Sequence, residues 1–175
     1  MSAELIFSTI KGCENLEDNY IISILGTQIY ENEDDNDSVE VTTGASYAEI
    51  NGKKLIKYRE YDPDDGDVYI TNIIKIESPE KVTLVKRGGK NYNQLVLECG
   101  KRHQCVYSSP IGLPIGSLII GIYTESIVCN IDENGGRMEI NYTIDFNCDF
   151  QSENHLIITL TKKGNKENVN NSNEG

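Results

Sequence analysis

The sequence predicts an all-β fold, an antiparallel up-and-down barrel of about eight to ten strands. Three observations carry the prediction. From Arg137 to Phe150 apolar Met138, Ile140, Tyr142, Ile144, Phe146, Cys148 and Phe150 alternate with polar Arg137, Glu139, Asn141, Thr143, Asp145, Asn147 and Asp149. Successive strand side chains point to opposite faces, so this segment has one oily and one wet side. Similar segments recur along most of the chain between Gly, Asn, Asp and Pro turn signals, and no helical periodicity interrupts them. A sheet with one oily face must cover it, by packing on another sheet or by curling on itself, and closure also removes aggregation-prone edges.

The elements follow in order. Residues 1–17 are open between a short strand and a helical turn around Leu5, Ile6 and Phe7. Tyr20 to Tyr30 reads as a strand with Ile21, Leu25 and Ile29 on one face, and the polar run 31–37 as a hairpin loop. Ser38 to Ile50 is the second strand. Asn51-Gly52 follows, a strong two-residue hairpin signal because both residue types tolerate positive φ. Lys53 to Tyr61 returns antiparallel. Asp62 to Asp67 turns the chain into a strand from Val68 to Ile76. Ser78-Pro79-Glu80 leads to Lys81–Arg87, and Gly88 to Asn91 is a loop. Gln94–Glu98 and His103–Ser108 are short strands around Gly100. The apolar stretch Pro110 to Gly116 is either a lid over one barrel mouth or a bent strand docked on a neighbour. Ser117–Ile131 and Arg137–Phe150 are two long strands joined by Asp132 to Gly136. Gln151 to Asn154 is a last turn and His155–Lys163 a last strand. Residues 1–163 then form a single barrel domain, and 164–175, almost wholly polar, are expected to be a disordered tail.

Composition narrows the function classes. The formal charge is -12, from 28 acidic against 16 basic side chains. Nucleic acid and anionic membrane surfaces select basic patches, so neither is an expected partner. The five cysteines are odd in number and contain no CxxC, with Cys129 and Cys148 inside strand patterns. That usage fits reduced thiols in a cytoplasm better than a disulfide framework. No basic-then-apolar leader and no run of membrane-spanning length are present.

A set of motifs supports a family resemblance. Thr43-Gly44-Ala45-Ser46-Tyr47, Tyr58-Arg59-Glu60, Val85 to Gly89, Tyr107 to Gly112, Gly121-Ile122-Tyr123-Thr124 and Gly136 to Tyr142 occur in an order that resembles the YwiB-like proteins. The similarity runs from about Tyr20 to about Thr161. The resemblance implies a calycin-like, lipocalin-type barrel in a bacterial cytoplasm, and it transfers no catalytic residue because the family has no assigned function.

Chemical constellations are sparse. Asp62 to Asp67 lacks the twelfth-position acid of a calcium loop, Ile73 standing there, so it reads as a solvated turn. His103 and His155 have no ligand partners at zinc spacing, and neither a metal nor another cofactor is expected. On the third strand Ile56, Tyr58 and Glu60 share a face. If that face is the core, Glu60 requires a partner, because an unpaired buried charge is costly. Arg87 or Lys75 would supply it, either as an ion pair closing one barrel end or as the anchor for a ligand's polar head. Tyr47, Tyr58 and Tyr142, with Tyr107, add phenols to the interior, which suits a packed hydrogen-bond network or a partly wet pocket. The ligand-binding set is therefore Tyr47, Tyr58, Glu60, Arg87, Tyr107 and Tyr142, with walls from Val41, Ile56, Ile120, Ile122, Ile140 and Ile144. The expected function is non-catalytic binding of a small apolar or amphipathic molecule. The alternative is a filled barrel acting as an interaction or structural module, and Glu60 with His103 is the one acid–base pairing an enzyme could use.

Overall fold

The computed structural model describes residues 17–30, 36–61, 69–88, 91–107, 118–146 and 148–164. The described residues contain no helix, and so none long and apolar enough to cross a membrane. Ten strands run β1 (Tyr20–Tyr30), β2 (Asp37–Ile50), β3 (Lys53–Tyr61), β4 (Tyr69–Ser78), β5 (Lys81–Gly88), β6 (Asn91–Glu98), β7 (Arg102–Tyr107), β8 (Leu118–Asp132), β9 (Gly135–Phe146) and β10 (Asp149–Lys162). They form one antiparallel sheet in the order β6-β5-β4-β3-β2-β1-β10-β9-β8-β7. The meander is thus joined through its terminal strands, by a ladder running from Tyr20 opposite Lys162 to Tyr30 opposite Ser152. Its seam lies in mid-chain, between β6 and β7. There Cys99 bridges Thr124, the Gly100 amide donates to the Thr124 carbonyl at 2.8 Å, and the Cys105 thiol donates to the Gln94 carbonyl at 3.0 Å. The barrel is nearly closed.

Alternation explains the core. Ile22 of β1, Ala45 of β2, Ile56 of β3, Ile74 of β4, Val82 of β5, Leu97 of β6, Ile122 of β8, Met138 and Ile140 of β9, and Ile158 and Leu160 of β10 all turn inward and are buried. One barrel end is capped by the β8–β9 hairpin. Tyr20 donates its hydroxyl to the Glu133 carbonyl at 2.7 Å, and the Lys54 ammonium donates to the Ile131 carbonyl at 2.6 Å. At the same end Asn51 (φ 53) and Gly52 (φ 72) make the tight β2–β3 turn that the dipeptide predicts.

Two expectations are corrected. The strand predicted from Arg137 to Phe150 ends at Phe146, and β10 begins at Asp149 rather than at His155. Cys148 lies in the turn between them, takes φ 70 and is exposed, so it is not a strand residue packed in the core. The Asp145 carboxylate accepts from the Cys148 amide at 3.0 Å, a side chain-to-backbone bond that fixes such turns. The region predicted as a turn, Gln151 to Asn154, is instead part of β10, with a bulge between Phe150 and Ser152. The expectations for residues 1–16, 31–35, 62–68, 89–90, 108–117 and 165–175 lie outside the described residues.

Candidate functional site

A cavity of about 540 Å³ opens in the barrel interior, against β1, β10 and the β3–β6 wall, with Cys105 reaching it from β7. It lies toward the end opposite the hairpin cap, where β3 and β5 finish and β4 and β6 begin. Its floor is apolar, with Ile24, Ile74, Leu84, Leu95, Leu156 and Ile158. Register builds its polar rim. Asn72 stands directly opposite Tyr58 on one side and Lys86 on the other, so the three form a row across β3, β4 and β5. Glu60 sits one inward-facing step nearer the mouth. Its carboxylate accepts from the Asn72 amide at 3.0 Å and from the Lys86 ammonium at 3.0 Å.

The electrostatics follow from burial and from that carboxylate. Tyr58 is pushed well above the ordinary phenol range, first by burial and then by the charge of Glu60, so it remains a protonated donor. Burial also raises the Cys105 thiol, which is already engaged with the Gln94 carbonyl. A protonated thiol is a poor nucleophile. The site can therefore enclose an apolar body and offer donors and acceptors to a polar end. Among the described residues no cluster of three or more His, Cys, Asp or Glu could hold a metal ion.

The predicted site residues divide. Tyr58 and Glu60 line the cavity. Arg87 does not: it stands opposite Thr71 on the outer face, with Ile73 and Val85. Lys75 is on that outer face too, 3.4 Å from Glu77. The cation that meets Glu60 is Lys86, whose neighbour in sequence was singled out instead. In Val82-Thr83-Leu84-Val85-Lys86-Arg87 both faces carry apolar residues, so alternation alone does not tell inside from outside. The partner signal was one residue away: Lys86 shares a face with Val82 and Leu84, both of which belong to the main core.

Tyr47 and Tyr142 turn inward but pack against the core rather than lining the cavity. The Tyr47 ring lies 5.8 Å from that of Tyr20, and burial, reinforced by Glu49 and Asp132, pushes its phenol up to about 12. Burial likewise raises Tyr142. Tyr107 ends β7, and its side chain is outside the described part. The expected walls are displaced as well: Ile56, Ile122 and Ile140 are fully buried in packed core, and Ile120 and Ile144 pack against it. The barrel is thus filled beside β8 and β9 and open beside β3 to β6. His103 bonds Glu98 at 3.0 Å, so it is not paired with Glu60.

Comparison with known proteins adds a family and a fold. A family model described as a domain of unknown function (DUF1934) matches residues 22–158. No curated protein matches the chain. Among solved structures, the crystal structure of the ywiB protein from Bacillus subtilis superposes with a TM-score of 0.66 at 18% identity, covering 87% of this chain and 99% of that one. At that identity the likeness concerns the fold alone.

Proposed function

This chain belongs to the DUF1934 family of YwiB-like barrels, and we propose that it is a non-catalytic binding protein for a small amphipathic molecule. The observation that carries the reading is the half-open barrel, a cavity of about 540 Å³ with an apolar floor and a single cluster of polar groups on its rim. Its volume lies within the range of small-molecule sites, and its lining has their composition, mostly apolar with a few placed polar groups. An alkyl or aromatic body would settle against Ile74, Leu84, Leu156 and Ile158. Burying about 150 Å² of such surface contributes about 4 kcal/mol before ordering costs. The polar end would meet Glu60, Asn72, Lys86 and the Tyr58 hydroxyl, where acceptor and donors stand side by side.

Several features favour binding over catalysis. Both Glu60 oxygens are already engaged, Cys105 is protonated and bonded, and the His103 ring is held by Glu98. The use of the barrel would be lipocalin-like, in a cytoplasmic compartment where the thiols stay reduced. With its acidic charge, the protein would act without nucleic acid or membrane partners. A solid interaction module is the rival reading, and the open half of the interior weighs against it. Native mass spectrometry of the protein purified from its own host tests the proposal. A single co-purifying small mass, lost on denaturation and weakened by Leu84→Trp, is expected. A bound protein chain with an empty barrel would overturn it.

A further inference from the structure

The groups on the cavity's rim also decide what kind of polar end it can take. Four inward-facing positions stand in one row across the sheet: Tyr58 of β3, Asn72 of β4, Lys86 of β5 and Asn93 of β6. Glu60 lies one step nearer the mouth, and its carboxylate is 3.0 Å from the Lys86 ammonium. Among the described residues that line the cavity, Glu60 is the only carboxylate and Lys86 the only cation, so their charges cancel. The nearby cations Arg59 and Arg87 stand on the outer face, on either side of Thr71. The wall formed by Ile24 of β1 with Leu156 and Ile158 of β10 offers no polar side chain. The row sits back from solvent: Asn72 is only 6% exposed, although Lys86 itself reaches water.

Resting on the reading of this cavity as a small-molecule site, we infer that its ligand carries an uncharged, hydrogen-bonding head, such as an alcohol or an amide, on its apolar body. Taking a charged head out of water has to be offset by an opposite charge. Glu60 and Lys86 already neutralise each other. An incoming carboxylate meets Lys86 only together with the repulsion of Glu60, and an incoming ammonium meets Glu60 only together with that of Lys86. A head without charge incurs neither repulsion. The neutral groups of the rim match it. Asn72 donates from its amide nitrogen to Glu60 and keeps its carbonyl oxygen as an acceptor. Tyr58, its phenol held protonated by burial and by Glu60, is a donor. A hydroxyl head can donate to the first and accept from the second. At about 0.15 M salt the Debye length is about 8 Å, so the acidic charge of the chain as a whole is largely screened at the rim and the local pair decides. Selection then works as much by rejecting ions as by attracting the neutral head.

Calorimetric titration of the full-length chain with decanol, decanoate and decylammonium, at neutral pH and about 0.15 M salt, keeps the apolar body constant and varies only the head. Decanol is expected to bind at least ~10-fold more tightly than either ion. Removing one partner of the pair should change the order: Glu60→Gln should make decanoate the tightest of the three, and Lys86→Met should make decylammonium the tightest. Leu84→Trp, which fills the apolar floor, should weaken decanol and so place it in the cavity. Either ion binding the parent within that factor of decanol, an order that both charge substitutions leave unchanged, or decanol binding indifferent to Leu84→Trp would overturn the inference. A preference for one ion would leave the cavity a ligand site of another class. No binding of any of the three, by the parent or the variants, would remove the binding reading itself and the inference with it.

Discussion

Glu60 shows how single side chains set the properties of this barrel. Its carboxylate takes a neutral donor from Asn72 and a charged one from Lys86, and Lys86 is half exposed. An ion pair so open to water contributes about 0–1 kcal/mol. Glu60→Gln is therefore expected to change stability little and to alter ligand affinity more, as a thermal melt beside a binding titration would show. Tyr47 and Tyr20 form a contrasting pair. Their rings touch, but the Tyr20 hydroxyl donates to the Glu133 carbonyl while the Tyr47 hydroxyl is buried with no hydrogen-bond partner among the described residues. Removing a bonded hydroxyl costs about 1 kcal/mol, and removing an unsatisfied one costs little or stabilises. Denaturant unfolding should show Tyr20→Phe destabilised and Tyr47→Phe unchanged or more stable. At this scale the sequence was partly legible. Parity from Ile56 places Tyr58 and Glu60 inward, whereas β5 is apolar on both faces and hides which of Lys86 and Arg87 turns in.

Gly121 shows how a single position constrains an element. The Arg102 guanidinium grips Asp145 with two hydrogen bonds, at 2.7 and 2.6 Å, passing over β8 at Gly121. A methyl group there would collide with both side chains. Gly121→Ala should therefore displace the Arg102–Asp145 pair and cost about 0–1 kcal/mol, the contribution of an exposed ion pair, measured by urea unfolding. Arg102, and next the Cys148 amide, hold the Asp145 carboxyl below its ordinary value. A lowered folded-state value means stability that is present above the unfolded value of about 4 and is lost as pH falls through the folded one. Asp145→Asn should thus be less stable than the parent at pH 7, with the difference shrinking below about pH 4. Most elements were legible because turn chemistry brackets them: Asn51-Gly52 and Ser78-Pro79-Glu80 set four strand limits within a residue or two. The β9–β10 turn was not, because Phe146, Cys148 and Phe150 continue the alternation across it, and the bond from Cys148 to Asp145 that makes it a turn leaves no mark on periodicity.

The whole molecule is a meander closed by its terminal strands and seamed in mid-chain. The β1–β10 ladder is continuous over the length of β1, while among the described residues the seam is held by the Cys99–Thr124 bridge from the end of β6 to β8, isolated hydrogen bonds beside it, and the Cys105 thiol of β7 on the Gln94 carbonyl of β6. Amide hydrogen exchange should accordingly be slowest in β1, β9 and β10 and faster along β6 and β7. The all-β class and the up-and-down path were legible from alternation and turns. The division of the interior was not, since whether a barrel is filled depends on how side chains from distant strands meet, and an open half and a filled half have the same period. That division is the central claim, and methyl NMR tests it most directly. The full chain, labelled at Ile and Leu methyls, would be titrated with alkyl amphiphiles of increasing length. Saturable shifts at Ile74, Leu84, Leu156 and Ile158, with Ile122 and Ile140 unmoved, are the expected result. No saturable shift with any of them, or shifts spread evenly over both halves, would contradict it.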